Sequence, residues 1–384
     1  MSEAAEARRA RPGRLAQSPW LWGLLGLAVS AVLMWLAMRN INFDVFFSTL
    51  EHADAAEMAL AALLVAAPWA VLGLRWRVVA RRMGPPGALR MASLVFLGAA
   101  VNNSLPGRLG DVARAVCLAR DTRRSAAEAL GTMVVDRIAD IIFFTACLGL
   151  TYTVFPHQRW LVWVAAASVV AVVAMIAIVA AVVAYARRPH ASRHRWGAVV
   201  TRALGRLSDG LTSLRSPRDV ALVVLFTALA WGALSLGNLF GVRALGIHLS
   251  LVQAVFLTTV ISLGTALPSL PGFVGTYHWV ASTVLQGFGV PPTQVFAAAV
   301  VLHALGFLLT TLIGAPIMLR EGITGSGLRS RARSVAAPGA SALAAPQDPR
   351  GDADDGHPRV DVPDGDRPCA QHGVVADPEP RQDH

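Results

Sequence analysis

The chain has no lysine, little charge of either sign and few cysteines. Charged residues make up only 15% of the sequence, and all 34 basic residues are arginines. Cys117, Cys147 and Cys369 are far apart and lack metal-ligand spacing, which excludes a disulfide framework and a zinc site. The sequence also lacks a nucleophile paired with a base, a metal-ligand triad and a glycine loop of the nucleotide-binding kind. We therefore expect no metal and no cofactor.

Apolar residues make up 54% of the chain and collect in long runs. Several runs exceed the roughly 18 residues that mark a membrane-spanning helix. The formal charge of +10 does not indicate a nucleic-acid partner, because the arginines lie beside the apolar runs, as the positive-inside bias predicts. The sequence predicts an all-α integral membrane protein with about six full spans, at residues 20–38, 58–79, 133–154, 160–185, 220–242 and 293–319.

Two further apolar stretches, residues 91–105 and 251–267, run into the same six-residue pattern. Residues 105–110 read LPGRLG and residues 270–275 read LPGFVG, and a short helix resumes after each, near 111–118 and 277–288. A bilayer core cannot hydrate free backbone groups, so a helix is broken there only where it is buried in protein or lines a polar cavity. Matching breaks in two halves of a chain indicate a transporter-type central site, although two ordinary Pro-Gly turns are the alternative. The residues assigned to these breaks are Pro106, Gly107, Gly110, Pro268, Pro271, Gly272 and Gly275.

The arginines alternate along the chain. They concentrate in the N-terminal tail, at 75–90, at 108–124 and at 187–218, whereas the intervening connections hold only Arg39, Arg159 and Arg243. This asymmetry predicts that both termini are cytoplasmic. The first broken segment then enters the membrane from the cytoplasmic side, and the second enters it from the outer side. We therefore expect two oppositely oriented re-entrant segments in an inverted repeat.

The same pattern predicts five regions. These are a basic cytoplasmic tail (1–19), a first membrane half (20–186), a basic cytoplasmic linker (187–218), a second membrane half (219–322) and a C-terminal tail (323–384). The last is rich in Ala, Pro, Asp and Gly without apolar period, so it is predicted to be disordered. It is a possible attachment point for a protein partner. The sequence gives no indication of oligomeric state.

Polar residues gather around the first break. Asn103, Arg108, Asp111 and Arg114 lie within twelve positions of one another. Glycines let backbone amides approach a ligand, helix N-termini favour anions, and arginine suits phosphate. These four residues are predicted to contact a lipid head group. The alternative is an arginine that reaches the membrane interface, with an Asn cap.

A second charged group lies at the edge of the third predicted span. Asp136 and Asp140 are four residues apart and share a helix face, and Arg137 can reach Asp140 at i+3. Ionisable residues at this depth usually face the bundle or a polar cavity. They are predicted either to line a head-group site, with Arg137 contacting phosphate, or to form an internal ion pair.

The second break has no arginine. Its polar groups are Tyr277, His278 and, further along, His303. His278 follows the break directly and is kept as a candidate for the site, the alternative being a helix–helix hydrogen bond. Arg75 and Trp76 end the second span and are interpreted as an interface anchor.

Three segments together carry a family resemblance: NSLPGRLGDVAR (103–114), DRIAD (136–140) and PSLPGFVG (268–275). Over roughly residues 20–320 the chain resembles the lysylphosphatidylglycerol synthase transmembrane region family, also called flippase-like domain proteins. Many members have Glu where this chain has Asp111 and His278, and the second difference puts carboxylate-dependent ion coupling in doubt. The name-giving members add a soluble aminoacyl-transferase domain that this sequence lacks, so lysyl-lipid synthesis is not implied.

The resemblance implies a multi-pass protein of a bacterial or archaeal inner membrane that handles a phospholipid or polyprenyl-type lipid. A flippase-like translocator of a membrane lipid is therefore the leading hypothesis. One alternative is a membrane-embedded transferase that acts on a lipid acceptor and uses Asp111, Asp136 or His278 as base. Another is an accessory membrane subunit.

Overall fold

The computed structural model describes residues 19–38, 41–105, 109–152, 159–187, 195–214, 216–265 and 271–323. All regular structure within these ranges is helical. The helices up to residue 187 are α1 (Pro19–Met38), α2 (Phe43–Glu51), α3 (Ala55–Val79), α4 (Ala88–Ser104), α5 (Gly110–Thr122), α6 (Ala126–Tyr152) and α7 (Arg159–Arg187). The later helices are α8 (Arg195–Leu211), α9 (Pro217–Arg243), α10 (Leu251–Gly264), α11 (Thr276–Gly287) and α12 (Pro292–Arg320).

Each of the six predicted spans is a helix of 20 residues or more. Among the residues that the structure describes, α3, α9, α12 and the Val162–Tyr185 part of α7 are long and apolar enough to cross a membrane. The all-α membrane fold predicted from the sequence is therefore confirmed. Helix α6 begins well before the predicted residue 133, because the Ser125 hydroxyl accepts a hydrogen bond from the Glu128 amide and caps its first turn.

Both predicted breaks are interruptions of a helix. The first separates α4 from α5, and the second separates α10 from α11. Residues Pro271–Phe273 form a single 3-10 turn in which Gly272 has a φ of +72°, and Gly275 follows with a φ of +86°. These left-handed conformations suit glycine and explain its place in the pattern. Pro106, Gly107, Arg108 and Pro268 lie outside the described residues.

Each break belongs to its own apolar core. The first core joins α3, α4, α5 and α6 through buried side chains such as Trp76, Leu97 and Leu118. The second core joins α9, α10, α11 and α12 through side chains such as Leu257 and Leu302. Long-range packing of α3 on α9 and of α4 on α12 holds the two cores together.

Two helices were not predicted. Asn42 caps α2 by accepting hydrogen bonds from the amides of Asp44 and Val45. Helix α8 lies inside the predicted basic linker and is amphipathic, since Ser208 and Gly210 are buried whereas Arg206 and Asp209 are exposed. The many charged residues on one face of α8 led to the prediction of a solvent-exposed linker. The other face of the helix packs on α6.

An ion-pair group ties the end of α12 to the first broken pair. Glu321, directly after α12, accepts from Arg90 on α4 and Arg120 on α5. Burial works against ionisation of Glu321, but the hydrogen bonds from these two guanidinium groups outweigh it and lower the pKa of the carboxyl. The last turn of α12 is thereby fixed beside α4 and α5.

Candidate functional site

A cavity of about 340 Å³ lies where the two breaks meet the long helices. Helices α3, α4, α6, α9, α10 and α12 line it, together with the starts of α5 and α11 and the turn at Gly272. Most of its wall is apolar, with Trp69, Leu72 and Phe144 among the lining side chains. A compact group of three arginines and three aspartates supplies the charge: Arg75, Arg114, Arg137, Asp111, Asp136 and Asp140.

Arg75 forms the centre of this charged group. Its Nε donates to Asp136 Oδ1 at 2.8 Å, and its Nη1 donates to Asp140 Oδ1 at 2.6 Å and to Thr227 Oγ1 at 3.0 Å. The indole N–H of Trp231 donates to the same Asp140 oxygen at 2.9 Å. Because an unpaired buried charge is very costly, Arg75 and the two carboxylates must be retained together.

Asp111, Arg114 and Arg137 form an outer set beside it. Asp111 Oδ1 lies 3.0 Å from Arg114 Nη2 and 2.8 Å from Arg137 Nη2. Arg114 also approaches Asp136 Oδ2 at 3.5 Å and lies over the Trp76 ring at 5.0 Å. Arg137 reaches Asp140 Oδ2 at 3.2 Å, so the predicted i,i+3 pair is present.

Asparagines hold the first break in place. Asn102 Oδ1 accepts from the Gly110 amide at 2.8 Å, which caps the start of α5 across the break. Asn103 Nδ2 donates to the hydroxyls of Thr310 and Thr311 on α12 at 3.0 and 2.9 Å. A Cβ at Gly110 would lie 1.9 Å from the Gly98 carbonyl oxygen, so only glycine allows α5 to begin this close to α4.

The second break is held by imidazole and aromatic groups. His303 Nε2 lies 2.7 Å from the Gly272 carbonyl oxygen, which can only accept, so Nε2 carries the proton of that contact. Tyr277 stacks on His303 with ring centroids 4.7 Å apart, and His278 meets the same ring edge-on at 4.7 Å. The Gly275 amide lies 3.4 Å from His278 Nδ1.

Six of the residues predicted for the site line the one cavity: Asn103, Asp111, Arg114, Asp136, Arg137 and Asp140. Arg108 lies outside the described residues. His278 is buried, with 6% of its surface exposed, and is not part of the cavity wall. The histidine that lines the cavity is His303. Its contact with Gly272 is the helix–helix type of hydrogen bond that the sequence offered as the alternative for His278.

The interpretation of Arg75 and Trp76 as an interface anchor is wrong. Both are fully buried, and the Trp76 indole donates to Thr132 on α6 at 3.0 Å. The physical reason is that Asp136 and Asp140 carry more negative charge than Arg137 alone can compensate. This excess of negative charge indicates a second buried arginine, and Arg75 at the end of an apolar helix could have been identified as that residue.

The described carboxylates of this cavity all contact guanidinium groups. No group of three or more His, Cys, Asp or Glu side chains among the described residues is arranged to hold a metal ion. The geometry instead combines arginine donors, a helix N-terminus and an apolar wall. Such a combination suits an amphiphile with an anionic group.

These features define a polytopic helical membrane protein with paired helix breaks around a charged internal cavity. The sequence model of the lysylphosphatidylglycerol synthase TM region matches residues 23–314, and the chain belongs to that family. It is also 25% identical over 318 residues to a UPF0104 membrane protein of Methanothermobacter thermautotrophicus, an alignment that covers 76% of this chain and 91% of that protein. The family resemblance found in the sequence motifs is thereby confirmed.

Proposed function

We propose that this protein moves a lipid with an anionic head group between the leaflets of its membrane. The observation that carries the proposal is a cavity lined by residues on both sides of the first break, by Gly272 of the second break and by the charged group. Its volume of about 340 Å³ lies within the usual range for small-ligand sites, so a head group fits there. The acyl chains would remain in the bilayer.

The cavity wall supports an amphiphilic substrate. Trp69, Val95 and Ile261 offer apolar surface on three different helices, whereas Arg114 and Arg137 offer cationic donors at one end. Arginine matches phosphate in geometry as well as charge, because its planar guanidinium presents paired N–H groups. A head group that carries phosphate therefore finds its partners in the outer set.

A transferase reaction is less well supported. Its base would have to be Asp111, Asp136 or His278. Asp136 accepts hydrogen bonds from Arg75 and Asp111 accepts them from Arg137, so both carboxylates are already engaged, and His278 does not face the cavity. These contacts favour the proposal of lipid transport over that of lipid modification.

The test is a translocation assay on the purified full chain in proteoliposomes that contain a phospholipid with a fluorescent head group. Dithionite added outside the vesicles quenches only the label in the outer leaflet. Label from the inner leaflet is quenched only after the lipid has moved to the outer leaflet, so the rate of this second phase reports exchange. We expect exchange with the wild type and at least a tenfold slower rate with Arg137→Gln. Arg243→Gln is the matched control, because Arg243 pairs with Glu57 away from the cavity. Absence of exchange by the wild type with any phospholipid would contradict the proposal.

A further inference from the structure

The three arginines of the charged group differ in how completely they are bonded. Arg75 uses Nε, Nη1 and Nη2, the last toward the Asp136 carbonyl oxygen at 3.3 Å. Arg114 and Arg137 each have a buried Nε for which no described residue supplies an acceptor. Buried donors are normally bonded, so this pair of open N–H groups is unusual.

The two arginines that carry these open donors belong to the cavity wall. Arg114 is 3% exposed, and both its side chain and that of Arg137 form part of the cavity wall. An Nε–H without an acceptor leaves each of these guanidinium groups with a donor that a further acceptor oxygen can use. Arg75 differs, since four of its five N–H groups, including that of Nε, already donate to Asp136, Asp140 and Thr227.

Asp111 lies between the two arginines. It directly follows the first break and lies in the first turn of α5, where free amides favour negative charge. Its Oδ1 accepts from both guanidinium groups, and its side chain is 30% exposed, far more than those of Asp136 and Asp140 at 2% and 6%. The carboxylate thus occupies the position that an external anion would take.

We propose that Asp111 is an internal substitute for the substrate anion and is displaced from Arg114 and Arg137 by a phosphodiester. The inference rests on the proposed function and deepens it. Among the described residues of the cavity, the three guanidinium groups and the three carboxylates balance in charge while Asp111 is bonded to Arg114 and Arg137. When Asp111 leaves, one positive charge remains, which matches the single charge of a phosphodiester better than the higher charge of a phosphomonoester. The phosphate oxygens then also accept from the two open Nε–H groups.

Binding of defined lipids to the purified full chain in detergent, measured by native mass spectrometry, tests the exchange. The probes are phosphatidylglycerol, phosphatidic acid and diacylglycerol, with water-soluble glycerophosphoglycerol as competitor. We expect the wild type to prefer phosphatidylglycerol. We expect Asp111→Asn to bind it about tenfold more tightly, because the competing carboxylate is gone. Asp219→Asn is the matched control, since Asp219 pairs with Arg81 outside the cavity, and it should bind as the wild type does.

The outcomes separate this inference from the proposed function. If Asp111→Asn binds phosphatidylglycerol no more tightly than the wild type, while Arg114→Gln loses binding, the exchange is overturned and lipid binding stands. If glycerophosphoglycerol competes as strongly as the lipid, the exchange stands and the lipid substrate is overturned. If neither wild type nor Asp111→Asn binds any phospholipid, both are overturned. Asp111→Ser, which keeps a hydroxyl at the helix start, gives the same readout should the Asn variant fail to fold.

Discussion

The two helix breaks share a sequence pattern but differ in the chemistry around them. Next to the first lie Asp111, Arg114 and, from α6, Arg137. The second is bordered by Tyr277 and His303, and no charged side chain after it lines the cavity within the described residues. The Leu-Pro-Gly pattern therefore specifies a backbone interruption, whereas the ligand chemistry comes from the residues that follow it.

What the breaks share beyond their sequence is an attachment to α12. Asn103 bonds Thr310 and Thr311, and the Gly272 carbonyl meets His303 less than three turns earlier on the same helix. Breaking a helix frees backbone groups that a membrane cannot solvate. At the second break His303 of α12 satisfies the Gly272 carbonyl. At the first break the Gly110 amide is satisfied by Asn102 of α4, and α12 contributes only the side-chain attachment to Asn103.

The largest expected effect concerns the orientation of the chain in the membrane. If the two broken segments enter from opposite sides, each labelled position should be accessible from one side of the membrane only. Single cysteines at Ser48 and Asp209, both exposed, are placed in a cysteine-free background. An impermeant maleimide should label Ser48→Cys in intact cells and Asp209→Cys only after the membrane is opened. The positive-inside distribution of the arginines is the reason. Labelling of both from the same side would contradict the inverted repeat.

Removing the buried arginine should have the next largest effect, on stability. Arg75→Met leaves Asp136 and Asp140 without their main partner, and loss of one member of a buried ion pair costs about 3–5 kcal/mol. Arg77→Met is the matched control, since Arg77 is exposed and bonds only the Pro86 carbonyl at 3.2 Å. It should change the free energy of unfolding by less than about 0.5 kcal/mol. Unfolding of both variants in detergent, compared with the wild type, provides the measurement, and equal losses would exclude a central role for Arg75.

The backbone of the second break is tested by Gly272→Leu. Gly272 has a left-handed φ, and a Cβ there would lie 2.7 Å from the Phe307 ring. Left-handed strain and overpacking together should cost roughly 2–5 kcal/mol. Gly289→Leu has comparable strain, with a φ of +83°, but open space around it, so about 1–2 kcal/mol is expected. Thermal unfolding of the two variants separates the cost of backbone strain from the cost of overpacking. If Gly289→Leu lost as much stability as Gly272→Leu, the contact with Phe307 would not contribute.

The sequence predicted the long helices and both breaks because these depend on local properties, namely apolar run length and Pro-Gly chemistry. It also predicted that Asp136 and Asp140 share one helix face, since their spacing on α6 is fixed by the backbone. It did not predict that Arg75 pairs with Asp136, because 61 positions separate them and only the packing of α3 on α6 brings them together.

The sequence also did not indicate which histidine lines the cavity, for a related reason. His278 and His303 both lie in apolar helices, and the sequence favoured the one beside the break. Which side of α11 faces the cavity depends on how α11 packs against α12. There, His278 turns toward Phe296 while Tyr277 and His303 reach the cavity. The helix after the break is too short to carry a long apolar stripe, so its sequence does not indicate which side of α11 faces the cavity.

Among the substitutions in the charged group, Arg137→Ala should change stability least, and it separates the contacts of Arg75 from those of the outer set. Asp140 keeps Arg75 and Trp231 as partners, and Asp111 keeps Arg114, so no carboxylate is left unpaired. Because the Arg137 side chain is 41% exposed, its ion pairs should contribute at most about 1 kcal/mol. Lipid exchange should nevertheless fall at least tenfold, since one of the two phosphate donors is gone.

A double variant completes that comparison. Asp140→Ala alone removes an acceptor from Arg75 and should be the more damaging single change. If Arg137 and Asp140 act mainly through other partners, Arg137→Ala should lower the free energy of unfolding equally in the wild type and in the Asp140→Ala variant, within about 0.5 kcal/mol. A clear rescue of stability in the double variant would mean that the i,i+3 pair is the structural unit. Arg137 would then belong with Arg75 among the residues that hold the helices together, and the phosphate contact would pass to Arg114 alone.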